Sequence, residues 1–177
     1  VDPRSGRMFT YGEAPGGGGG ADAMRDGESA VLPPISNIHD SPVESIEMTM
    51  PMRVERYELI DGSGGAGRHR GGLGLRKSFR LLAPLRCSFQ VSMAHQPPAG
   101  LAGGGAGSPT RIRVEHADGQ ATAIDRFAEL DVGAGSLVVI ESAGGGGYGP
   151  AEERDPAAER VDLIGGYVAS PAGGAAA

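Results

Sequence analysis

Tryptophan is absent, and aromatic side chains make up only 5% of the 177 residues. With so few large apolar groups, a core built from this chain alone is thin, and the chain is expected to lean on other protein mass. A single cysteine, Cys87, excludes an internal disulfide framework and any multi-cysteine zinc or iron–sulfur centre. No run approaches the ~18 consecutive apolar residues of a membrane span, and no basic-then-apolar leader opens the sequence. Positive charge is in deficit, with 16 Lys and Arg against 22 Asp and Glu, a net charge of −6. That sign argues against nucleic acid or an anionic membrane as partner, and a cytoplasmic location is the expectation. Neither G-x-x-x-x-G-K-[ST] nor G-x-S-x-G occurs, which removes a P-loop and a serine-hydrolase elbow. The opening V-D-P-R-S-G-R reads as the middle of a longer polypeptide.

What is abundant is glycine, at 32 positions, with proline at 13. Most glycines fall in clusters, at residues 16–20, 62–74, 100–107, 144–149 and 173–174, separating segments of period-two alternation. In residues 85–94, Leu85, Cys87, Phe89, Val91 and Met93 share one face. Just before it Leu75, Lys77, Phe79 and Leu81 alternate with Arg76, Ser78 and Arg80, and Ala83–Pro84 is expected to join the two as a hairpin. Residues 111–116 and 121–124 flank Asp118–Gly119, a hairpin turn, because Asp-Gly tolerates positive φ. Residues 136–141 read as a strand buried on both faces, and the charged residues 53–60 as an edge strand. One helix is predicted, capped by Asp155 with Pro156 in its first turn, an apolar face of Ala157, Val161, Ile164 and Val168, and a stop at Gly165–Gly166. The expected fold is mainly β (α+β), a glycine-loop-rich β-sandwich or barrel-like single domain over residues 1–170, with a flexible Ala/Gly tail at 171–177.

Two stretches match G-x-G-x-x-G, at 62–67 and 144–149, but R-H-R-G-G-L-G and Pro150 follow where a phosphate-binding helix must start, so tight turns are expected. Cys87 lies on the apolar face of its strand and reads as a core thiol. His39, His69, His95 and His116 have no metal-ligand spacing, so no metal site is expected within the chain. The densest polar stretch is S-N-I-H-D-S-P-V-E-S-I-E, residues 36–47. There Asn37, Asp40 and Glu44 stand in a Pro-anchored loop, able either to cap backbone or to meet a ligand. Arg53, Arg56, Arg68 and Arg70 bracket the flexible glycine-rich turn, and with His69 they form either ion pairs with neighbouring acids or an anion contact.

These segments carry a family likeness. D-P-R-S-G-R (2–7), Y-G-E-A-P-G-G-G-G-G-A (11–21), N-I-H-D-S-P-V-E (37–44), P-M-R-V-E-R-Y-E-L (51–59), G-S-G-G-A-G-R-H-R-G-G-L-G (62–74), P-P-A-G-L-A-G-G (97–104) and S-A-G-G-G-G-Y-G (142–149) stand in an order that closely resembles the C-terminal part of hydantoinase B-type subunits. The family includes the B half of ATP-dependent 5-oxoprolinase, N-methylhydantoinase, caprolactamase and a subunit of acetone and acetophenone carboxylases. The resemblance implies an A-type partner subunit that binds ATP and Mg²⁺, and a divalent metal held by the N-terminal part of the B subunit, with no cofactor bound by these residues. It also implies a cyclic amide or ketone as substrate, and an isolated chain without activity. Relatives carry a histidine ahead of N-T-x-N-T-P-x-E, where Pro34 and Asp40 stand here; Asn37, Pro42 and Glu44 match. By that resemblance Asn37 would donate to a developing oxyanion and Asp40 or Glu44 would orient water or a proton carrier. A third expectation is a non-catalytic module that joins subunits through Arg53, Glu55, Arg56, Glu58 and the glycine loops.

Overall fold

The computed structural model describes residues 2–32, 36 and 40–168. In chain order these contain α1 (Val43–Thr49), β1 (Met52–Leu59), β2 (Leu75–Leu81), β3 (Leu85–Phe89), β4 (Arg111–Glu115), β5 (Ala121–Ile124), β6 (Ala128–Val132), β7 (Leu137–Glu141) and α2 (Pro156–Gly165). Five strands form an antiparallel sheet in the order β1-β2-β7-β4-β5, and β3 pairs with β6 as a separate ribbon. The mainly β architecture is as expected, in two antiparallel sheets; the described strands do not close a barrel. The inner row of the large sheet runs through Leu81, Phe79, Val138, Val114 and Ile112, and Phe89 and Val132 of the ribbon pack into the same core with Ile46 of α1.

Several expectations need correcting. Residues 75–81 and 85–89 do not form a hairpin, because β2 pairs with β1 and β7 while β3 pairs with β6. The Ala83–Pro84 corner therefore carries the chain from one layer to the other. β3 stops at Phe89, and Met93, placed on its apolar face by alternation, has φ 61° and is exposed. The polar stretch turns helical at Val43, so Glu44 belongs to a helix rather than to the loop. The β4–β5 hairpin is present with Gly119 at φ 87°, and β1 is an edge strand, as read from sequence.

Among the described residues, the glycine-rich segments turn at Gly62 (φ 67°) and Gly103 (φ 94°), as expected of glycine, but over most of their length they pack as extended rods. Along residues 143–148, neighbours repeat every third residue. Ala143 and Gly146 accept from Gly18 and Ala21, Gly144 and Gly147 donate to Ser108 and Gly105, and Gly145 and Tyr148 donate to Gly72 and His69. A three-residue period with all hydrogen bonds going outward is the geometry of a polyproline II helix. Glycine is required by close approach, since a Cβ on Gly145 would stand 1.8 Å from the Gly19 carbonyl oxygen.

α2 has the predicted caps. Asp155 accepts from the Ala157 amide at 2.8 Å, and Gly166 closes the helix at φ 70°. Its orientation is the reverse of the expectation: Asp162 is the buried residue, and Val161 and Ile164 are exposed. Charge rather than apolar contact anchors the helix, as Asp162 accepts from Arg70 Nε at 2.9 Å and Arg154 Nε at 2.8 Å. The tail at 171–177 lies outside the described residues.

Candidate functional site: a lysine between two carboxylates

The apolar row of β2 contains one cation. Lys77 has 0% exposure, and a buried ammonium is tolerated only when paired. It is in contact with the Glu13 carboxylate, and its Nζ lies 3.7 Å from Asp40 Oδ2. The same Nζ sits 4.4 Å from the ring centroid of Tyr57 and 5.5 Å from that of Phe79, within cation–π range. A register irregularity between Val54 and Arg56 puts Tyr57 directly opposite Lys77. A bulge of this kind re-aims a side chain, and the freed Val54 amide donates to Glu47 Oε1 of α1 at 2.9 Å.

Hydrogen bonds close the cluster. The Tyr57 hydroxyl donates to Asp40 Oδ2, and the Tyr11 hydroxyl donates to Glu13 Oε2 at 2.8 Å. Burial, together with the accepting Asp40 carboxylate, pushes the Tyr57 phenol up to about 12. Burial and Glu13 push Tyr11 further up, so both phenols remain neutral donors at neutral pH. One cation therefore faces two carboxylates. Asp40 and Tyr57 line a cleft of about 860 Å³ whose wall includes Gly18, Gly20, Asp22 and Arg25. Tyr11, Glu13 and Phe79 line a second cavity of about 700 Å³ between the sheets, which Cys87 also borders. Lys77 thus sits in the partition between two cavities.

Of the residues singled out by sequence, Asp40 is part of this cluster. Glu44 is exposed in the first turn of α1, and Asn37 lies outside the described residues, as do Pro34 and His39. Arg68, His69 and Arg70 are elsewhere, at the base of α2. Arg70 pairs with Asp162 and stacks 4.3 Å from the Tyr167 ring centroid, while its backbone amide donates to Asp26. His69 exchanges backbone hydrogen bonds with Tyr148, and Arg68 lies 3.6 Å from Glu153. Arg154 binds Asp26 and Asp162 together. Burial raises the Asp26 carboxyl, but the Arg154 guanidinium and the Arg70 amide outweigh it and hold the group below its ordinary value.

Among the described residues no three His, Cys, Asp or Glu side chains are grouped to hold a metal ion. Nor do the glycine motifs suit a nucleotide, because the amides of Gly65, Gly144, Gly145 and Gly147 are bonded to neighbouring backbone. Cys87 is half-buried, and its thiol is pushed up by that burial, which suits a packing role. No described helix is long and apolar enough to cross a membrane.

Lys77, Glu13, Tyr11 and Tyr57 were not singled out by sequence. The available signal was the lone cation at an inward position of an alternating strand. Three of the segments that carry the family likeness contribute here: Tyr11 and Glu13 from the second, Asp40 from the third and Tyr57 from the fourth.

The family model described as Hydantoinase B/oxoprolinase matches residues 1–151, and the chain belongs to this family. It is 31% identical over 162 residues to 5-oxoprolinase PfmaA of Pestalotiopsis fici, covering 85% of this chain and 12% of that protein. It is likewise 31% identical over 161 residues to caprolactamase subunit beta of Pseudomonas jessenii, covering 85% of this chain and 27% of the relative. The crystal structure of the ATP-dependent caprolactamase from that organism matches with TM-score 0.72 and 28% identity over 86% of this chain and 28% of its own. Nucleotide-free acetone carboxylase shares the fold, with TM-score 0.62 at 20% identity, over 86% of this chain and 25% of its own. The chain thus spans about a quarter or less of the relatives it matches.

Proposed function

We propose that these residues form the C-terminal part of a B-type subunit in an ATP-dependent complex that hydrolyses a cyclic amide such as 5-oxoproline, a hydantoin or a lactam. The observation that carries this reading is the meeting of three family-like segments around Lys77, beside a cleft large enough for a small molecule. The likeness to the beta subunit of caprolactamase supports the hydrolase over other chemistries, and its subunit name supports a partner chain, here an A-type subunit.

In this reading Asp40 faces substrate in the cleft and orients water or a proton carrier, with Tyr57 fixing the carboxylate through its hydroxyl. Asn37 donates to the developing oxyanion, and Glu44 acts from the first turn of α1. ATP with Mg²⁺ belongs to the A-type subunit and the divalent metal to other parts of the B subunit, so no step is routed through this chain's histidines. The chain by itself is then inactive.

A second reading, a ketone carboxylase subunit, is favoured by the shared fold of acetone carboxylase. One assay separates them. The subunit carrying these residues, co-purified with its A-type partner, should hydrolyse ATP faster when 5-oxoproline, hydantoin or a lactam is added. Stimulation by ketones that requires bicarbonate selects the carboxylase. Stimulation by neither leaves the module that joins subunits. Within the hydrolase, unchanged turnover in both Glu44→Gln and Asn37→Ala removes those two residues from the mechanism.

A further inference from the structure

The row Leu75, Lys77, Phe79, Leu81 would be filled by an aliphatic residue at its second position, and exchanging a buried ion pair for apolar side chains is often neutral or stabilising. The charge is nevertheless present, with 0% exposure, and one ammonium serves two acids. Glu13, the first of these, is in contact. Asp40, the second, is reached at 3.7 Å on Oδ2, the same oxygen that accepts from the Tyr57 hydroxyl. Two partners on one oxygen fix the rotation of the carboxylate. They do so from behind, since Asp40 and Tyr57 line the large cleft and Lys77 does not.

The geometry points to Lys77 as a positioning residue for the cleft. It supplies the counter-charge of Asp40 and, with Tyr57, sets the plane in which that carboxylate meets a substrate, without itself touching one. This rests on the reading in which Asp40 works on a substrate in the cleft. Glu13 completes the arrangement by holding the ammonium in place from the opposite cavity, with Tyr11 hydrogen-bonded behind it.

The test is a double-mutant cycle in the complete complex, assayed as ATP hydrolysis stimulated by the cyclic amide that works best with the wild type. Asp40→Asn and Lys77→Met should each lower kcat by about 100-fold, with KM within about threefold of wild type. Lys77→Arg, which keeps the charge, should recover to within about tenfold. The double variant should be no slower than Asp40→Asn alone, because the lysine acts only through that carboxylate. Multiplying effects in the double variant, or wild-type kcat in a folded Lys77→Met complex, overturns the assignment. If Lys77→Met does not fold, Tyr57→Phe replaces it. Loss of that hydroxyl should lower kcat by about tenfold, again without adding to Asp40→Asn, and additivity overturns the assignment as before. Wild-type turnover in Asp40→Asn overturns the reading of the site itself, a result distinct from additivity.

Discussion

In the five-stranded sheet, cohesion comes from side chains: Phe79, Leu81, Val114 and Val138 fill the inner face. On the outer face Arg80 grips Glu55, and Arg76 bridges Glu58 and Glu141. In the glycine bundle cohesion comes from peptide groups, with rods close enough that side chains have no room. The two regions meet at Ser142, whose hydroxyl donates to Gly16 and accepts from the Leu75 amide. One region therefore survives some loss of atoms, and the other admits no gain at most of its glycines. The comparison also explains how 5% aromatic content suffices for a folded chain, because a large share of the interior needs no side chains.

The sharpest break of this contrast is one added carbon. Gly145→Ala should cost on the order of 5 kcal/mol or abolish folding, because the new Cβ would stand 1.8 Å from a carbonyl oxygen. Gly133→Ala, with nothing within 4 Å of its Cβ, should stay within about 0.5 kcal/mol in the same urea titration. Lys77→Met comes next, at about 3–5 kcal/mol, since Glu13 and Asp40 would lose their shared cation; the shift of the urea midpoint at constant slope measures it. Leu81→Ala removes three carbons from the sheet core yet should cost only about 3 kcal/mol. A Leu81→Ala protein less stable than Gly145→Ala would contradict the contrast outright.

The smallest effect lies on the outer face. Arg80 first, then Arg53, hold Glu55 down to about 2, against its ordinary 4.5. A folded value below the unfolded one stabilises fully above pH 4.5 and is lost as pH falls toward 2. In Arg80→Gln the melting temperature should fall less steeply across that window, by about 1–2 °C, and added salt should shrink the difference.

Much of the sheet was legible because alternation reports burial directly: the edge position of β1, the β4–β5 hairpin and its Gly119 follow from sequence. Pairing between distant strands was not, since nothing local distinguishes the Ala83–Pro84 corner from a tight hairpin. The glycine bundle was hidden for a different reason. Its pattern is a uniform absence of Cβ atoms, and a run of glycines carries no period from which three alternating neighbours can be read. α2 misled through its apolar stripe, because the contact that orients it is Asp162 with Arg70 and Arg154, over 90 residues away in the case of Arg70. Of the site, Asp40 was legible as part of a polar motif. Its partners were not, because Glu13, Tyr57 and Lys77 come together only once three separate segments fold onto β2.

The glycine rods also bear on temperature. Unfolding an aliphatic core exposes hydrocarbon and raises heat capacity, whereas exposing peptide groups lowers it. With rods such as residues 143–148 bonded mainly through backbone, the heat-capacity increment per residue should fall below the ~12–15 cal/mol/K of ordinary domains. Stability should then change little between warm and cold, giving a broad, shallow curve in which cooling does little harm.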